Sequence, residues 1–215
     1  MNPLTPLIGI PLALFSAIAL FARPAHAPER ETRGLLPLYT TPHWHIASPE
    51  VTRRLKGAYP ATVAALAGKW SRVFGVPVSW LRSQAYAESR NVPTAESSKS
   101  GALGVLQLLP STVAWLVPSL MKSKFAKDGK VQMTLTQGWH GQLNDLFNPD
   151  VNVMLAAYYL AILRNKFGGR HDLVAAAYNV GPGKVSRSIK AQKPLPEGAA
   201  IYVAMVEDAK RRGFR

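Results

Sequence analysis

The chain contains no cysteine, which excludes disulfide staples, thiolate metal sites and cysteine nucleophiles while leaving the compartment open. Acidic residues are scarce: 12 Asp and Glu stand against 26 Lys and Arg, a net charge of +14 over 215 residues. That excess suits a polyanionic partner, whether nucleic acid, an anionic membrane or a cell-wall polymer. No basic helix interleaved with aromatics singles out nucleic acid, so no nucleic-acid partner is expected. Nothing repeats at a fixed period, and the 17 prolines and 16 glycines are spread along the chain, which leaves room for one sizeable domain preceded by a leader. Long hydrophobic runs are absent except near the start. There Leu7 to Ala22 is apolar but is interrupted by Pro11, short of the ~20 residues a spanning helix needs.

That run is followed by Arg23 and Pro24 and then by Ala25-His26-Ala27, a small-x-small cleavage pattern ahead of Pro28-Glu29. Residues 1–27 therefore read as a signal peptide. The segment before the run lacks Lys and Arg, which keeps an uncleaved membrane anchor as the alternative. Residues 28–48 are punctuated by proline, show no helical period and read as an extended tether. His43 and His45 flank Trp44 within it. A metal would need a third ligand and none is near, so no metal site is expected and the stretch reads as an aromatic clip onto the domain. The domain itself is expected to span 49–215.

Helical periodicity gives segments over 49–57, 60–74 and, after the Gly75-Val76-Pro77 break, 79–89. In the last of these Leu81, Gln84 with Ala85, and Glu88 share one face, so a helix that buries Leu81 also points Glu88 inward. Burial penalises the ionised carboxylate. The negative end of the helix dipole acts the same way, because Asn91 and Pro93 stop the helix just after Glu88. Both effects raise the carboxyl pKa toward the range a general acid requires. From position alone, a structural acid satisfied by backbone N–H groups or an arginine is the commoner reading.

Further along, Pro110-Ser111-Thr112 opens a helix expected to end near Pro118. Within the Lys-bearing stretch 119–145, Val131, Met133 and Leu135 alternate with Gln132, Thr134 and Thr136, the period of a half-buried strand, so a small β-hairpin or flap is expected. Trp139 beside it is either a sugar-stacking platform or a pin to the core. Asn148-Pro149-Asp150 caps a strong helix from about Val151 to Phe167, with Tyr159 at its core-facing spacing. His171 to Tyr178 forms the next helix, and 197–213 the last, with Tyr202 and Val203 packing inward.

Glu88-Ser89, the loop Gly101-Ala102-Leu103-Gly104-Val105-Leu106-Gln107 and the turn Ala177-Tyr178-Asn179-Val180-Gly181-Pro182-Gly183 resemble, in this order, the three signatures of the lytic transglycosylase catalytic domain of the soluble, goose-type-lysozyme-like family. The resemblance covers about Val73 to Lys210. Asn91 departs from it where an aromatic is usual, as do Val105-Leu106 in place of Leu-Met, one extra residue before Gly101, and the length of 119–145. What it implies is an all-α, lysozyme-like helical domain, α+β only through the small β insertion, around a glycan-binding groove. The implied partners are peptidoglycan glycan strands, with Glu88 catalytic and Ser89, Gly104, Gln107, Tyr159, Tyr178 and Asn179 binding substrate. Tyr178 would hydrogen-bond the Glu88 carboxyl, and Gln107 would offer donor and acceptor to an acetamido group.

Most glycosidases need two carboxylates. Here Glu96 lies in a loop eight residues on, and Asp145, Asp150 and Asp172 read as turn or cap residues, so one acid and non-hydrolytic cleavage are expected, with no cofactor. A hydrolase using Glu96 and a non-catalytic wall-binding module are the rival readings. The expected protein is a monomer exported to the periplasm, or anchored in the membrane facing it, that serves either general wall turnover or a secretion, conjugation or pilus apparatus.

Overall fold

A computed structural model describes the backbone of Trp44–Ile46 and residues 62–213; the expected signal peptide, most of the tether and the segment 49–57 lie outside the described residues. In chain order the elements are β1 (Trp44–Ile46), α1 (Val63–Phe74), α2 (Val78–Ser89), β2 (Ala95–Ser97), α3 (Pro110–Lys122), α4 (Gly129–Gly138), α5 (Pro149–Lys166), α6 (His171–Val180), α7 (Pro182–Lys190) and α8 (Glu197–Arg211). Single 3₁₀ turns cover Lys124–Lys127 and Leu143–Phe147.

Helix α5 is the axis of the domain. It is apolar around most of its circumference, and Val151 through Ala161 are all buried, as expected of a helix enclosed by others. Its start is fixed by Asn148, whose side chain accepts from the amides of Asp150 and Val151, and by Pro149 in the first turn. Helix α1 lies against it, burying Leu66, Ala67, Trp70 and Phe74. Thr62 caps its start by accepting from the Ala65 amide, and Gly75, at φ 68°, turns the chain out. The polar lock between the two helices is Asp150. It accepts from the Trp70 indole at 2.7 Å, from Lys69 Nζ at 2.7 Å and from Thr134 Oγ1 at 3.1 Å. Helix α8 packs on α2 and α6, where Tyr202 and Val206 form a smaller buried cluster with Ala87 and Ala175.

The helical fold class expected from sequence is the one observed. Two local expectations are corrected. The period-two stretch at 131–136 lies in helix α4: Asp128 caps it by accepting from the amides of Lys130 and Val131, and Val131, Thr134 and Gly138 form the buried face while Met133 points out. That spacing of three and four defeats the alternation because a helix buries positions the strand template would expose. The only two-stranded sheet among the described residues lies elsewhere, where β1 runs antiparallel to β2 with His45 opposite Glu96, and single bridges join Glu96 to Leu103 and Leu103 to Leu108. Helix α3 continues through Pro118 to Lys122. Pro118 sits on the exposed side while Leu116, Val117 and Leu120 are buried, so packing of that face outweighs the one backbone hydrogen bond that proline removes.

Candidate active site

Glu88 occupies the last turn of α2. The helix then ends on Arg90 and Asn91, both in the left-handed region at φ 55° and 64°, and the chain turns toward β2. The carboxyl lies in a densely packed but not closed environment, and Glu88 keeps partial solvent exposure. Burial pushes its pKa from 4.5 up to about 7, offset in part by the hydrogen bond it accepts from a tyrosine. That donor is Tyr202 of α8, whose hydroxyl lies 2.7 Å from Glu88 Oε1. No cation and no second carboxylate is among the groups that shift it.

The loop facing Glu88 is held from three sides. Asn152, fully buried on α5, accepts from the Leu106 amide at 2.8 Å and donates to the carbonyls of Leu103 and Leu146, both at 2.9 Å. Ser89, also fully buried, donates to the Val105 carbonyl at 2.7 Å. Tyr178 donates to the Leu106 carbonyl at 2.7 Å. Gly104 is needed here at φ +78°, and a Cβ would stand 2.2 Å from the Leu146 carbonyl oxygen and 2.3 Å from Asn152 Nδ2.

Several expected roles change in this light. Ser89, expected at the substrate, is sealed inside and joins α2 to the loop, and Gly104, expected there too, permits a close approach to Asn152 and the Leu146 carbonyl. The tyrosine on the Glu88 carboxyl is Tyr202, and Tyr178 holds the loop instead. Tyr178 still lies close enough for the Glu88 charge to raise its pKa, together with burial. Tyr159 is buried beside it, their rings 5.4 Å apart, and Trp115 meets Tyr159 edge-on. Gln107 adopts φ 47° and donates from Nε2 to the carbonyls of Ala95 and Gly104. Asn179 is exposed at the end of α6. Trp139 packs against the main core, the pin of the two roles weighed for it.

Three of the other carboxylates are occupied elsewhere: Asp145 accepts from the backbone of His140 and Gln142, Asp150 forms the lock on α1, and Asp172 pairs with Arg170. Glu96 sits on β2, which pairs with the loop at Leu103. Among the described residues no group of three His, Asp or Glu could hold a metal ion, and no helix is long and apolar enough to cross a membrane. Sequence reasoning placed Tyr202 only in the core. The available signal was a phenol on the buried face of α8, which needs a partner for its hydroxyl.

The family described as transglycosylase SLT domain matches residues 65–199. A peptidoglycan transglycosylase of Escherichia phage T7 is 36% identical over 111 residues, covering 52% of this chain and 7% of that protein. The soluble lytic murein transglycosylase of Escherichia coli is 25% identical over 139 residues, 65% of this chain and 19% of that protein. The endo-type membrane-bound lytic murein transglycosylase A of Klebsiella pneumoniae is 30% identical over 165 residues, 72% of this chain and 69% of that protein. Among solved structures, an inactive mutant of the lytic transglycosylase Slt from Pseudomonas aeruginosa superposes with a TM-score of 0.51 at 25% identity, over 71% of this chain and 22% of that one. The chain thus spans less than a fifth of the first two relatives.

Proposed function

We propose, from the premise that this chain belongs to the transglycosylase SLT domain family, that it is a peptidoglycan lytic transglycosylase cleaving the β-1,4 bond between N-acetylmuramic acid and N-acetylglucosamine without consuming water. The observation that carries this reading is Glu88: a partly exposed carboxyl, pushed up to about 7 by burial and addressed only by a neutral hydroxyl. Protonated near neutral pH, it donates to the leaving glycosidic oxygen. The substrate's own acetamido group stabilises the electron-poor C1. The ionised Glu88 then takes the proton from the muramyl C6 hydroxyl as its oxygen bonds C1, which closes a 1,6-anhydro ring and returns the acid to its starting form.

A hydrolase would need a second carboxylate to activate water. The commitments of Asp145, Asp150 and Asp172 support the single-acid scheme. In this reading Gln107 Oε1 and Asn179 meet the sugar, Tyr159 lines the floor beside Tyr178, and residues 49–215 form the catalytic domain with 119–145 as a helical insertion. Residues 1–27 export the chain to the periplasm, where it acts on sacculi in general turnover or for an envelope-spanning secretion, conjugation or pilus machine.

Digestion of purified sacculi in heavy-oxygen water tests the reaction. The expected products carry no heavy oxygen at the muramyl end and are lighter by one water than the hydrolysis products; labelled reducing ends would establish a hydrolase instead.

A further inference from the structure

Glu88, Tyr178 and Tyr202 lie on three different helices, α2, α6 and α8, and a single imidazole touches all three. His171 is the first residue of α6. Its ring stacks on the Trp80 indole of α2 with centroids 4.5 Å apart and planes 22° from parallel. Its Nδ1–H donates to Glu207 Oε1 of α8 at 2.6 Å. Trp80 precedes Glu88 by eight residues, His171 precedes Tyr178 by seven, and Glu207 follows Tyr202 by five. At ~1.5 Å per residue, these contacts sit roughly 8 to 12 Å along each helix from the group it presents. The clamp and the carboxyl thus mark the two ends of one three-helix contact. We propose that His171 is a positioning residue, which with Trp80 and Glu207 registers α2, α6 and α8 so that the Tyr202 hydroxyl stays on the Glu88 carboxyl.

The surroundings of the ring fit a fixed strut. The charged groups facing it are Glu207 and Lys210 of α8 and Asp172 of its own helix, and from α2 the Trp80 indole covers its face. Nε2 is buried and has no hydrogen-bond partner. A neutral ring puts a lone pair there, whereas a proton would leave a buried N–H without an acceptor. Burial accordingly lowers the His171 pKa, against the pull of Glu207. The role rests on the reading of Glu88 as the acid. Loosened register would withdraw the Tyr202 hydroxyl, and a carboxylate that loses a donor holds its proton more tightly.

Titration of carbon-labelled Glu88 by NMR tests this without requiring activity, so a protein that cleaves no peptidoglycan still gives an answer. His171→Phe keeps an aromatic ring on Trp80 but removes the donor. It is expected to raise the Glu88 midpoint toward that of Tyr202→Phe, and to move it no further when added to Tyr202→Phe. The turnover number is expected to fall about tenfold with KM changed less than twofold, and His171→Asn, which returns an amide donor near Nδ1, to recover part of both. Should His171→Phe not fold, Glu207→Ala removes the partly exposed acceptor and carries the same expectation. A wild-type Glu88 midpoint and turnover in the folded variant, whatever its melting temperature, would reduce the clamp to a structural contact and overturn the proposal.

Discussion

Two carboxylates near helix ends, Glu88 and Asp150, receive opposite treatment from the same domain. Asp150 opens α5 and is met by an ammonium, an indole N–H and a hydroxyl, with Lys69 at 2.7 Å. Through these bonds the group fastens α1 and α4 to the axis of the fold. Glu88 closes α2 and is met by one phenol at 2.7 Å. Among the described residues no cation shifts it, so desolvation dominates and the carboxyl keeps a proton near neutral pH. The contrast shows what separates an acid that reacts from an acid that holds: the number and charge of the donors aimed at it, not depth alone, since both residues keep partial exposure.

The sharpest way to break the comparison is to remove each acid in turn. Glu88→Gln is expected to lower turnover on sacculi at least about a hundredfold while melting as a folded protein, because the amide is nearly isosteric but has no acidic proton. The same variant sharpens the contrast through stability. Glu88 has a folded pKa above its unfolded value, so its contribution is fully present below about pH 4.5 and is lost as pH rises through about 7. At pH 8 the Gln variant is therefore expected to be the more stable protein, by up to about 3 kcal/mol, with the gap closing toward pH 4.5; denaturant unfolding at both pH values checks it. Asp150→Asn is expected to do the reverse, costing about 2 kcal/mol of stability by weakening bonds to Lys69 and Trp70, read as a lower urea midpoint at unchanged slope. Among the tyrosines, Tyr202→Phe should cost about tenfold in rate, about 1.4 kcal/mol, and move the alkaline limb of the pH profile upward. Tyr178→Phe, which frees the Leu106 carbonyl, should cost about 1 kcal/mol of stability and leave that limb nearly in place.

Glu88 and the loop from Gly101 to Gln107 were legible in the sequence because both are local: a face of one helix and a run of small residues. The partners that give them meaning were harder to read. Tyr202 follows Glu88 by 114 residues and announces itself only as one more apolar position on a buried face, and Asn152 acts through three backbone atoms that no spacing reveals. The same locality explains the misread at 131–136. Alternation of apolar side chains was visible, but the cap at Asp128 and the burial of Thr134 and Gly138 against α5 decided for a helix. Pro118 signalled an end that packing of Leu116, Val117 and Leu120 outweighed.

Glu88 holds its proton because burial penalises the charged form and no cation among the described residues offsets that. A direct titration of the Glu88 carboxyl in the wild-type protein, by carbon NMR with Glu88→Gln to assign the signal, tests that most directly. The predicted midpoint is about 7; a Glu88 midpoint in the ordinary carboxylate range, about 4.3, would contradict it.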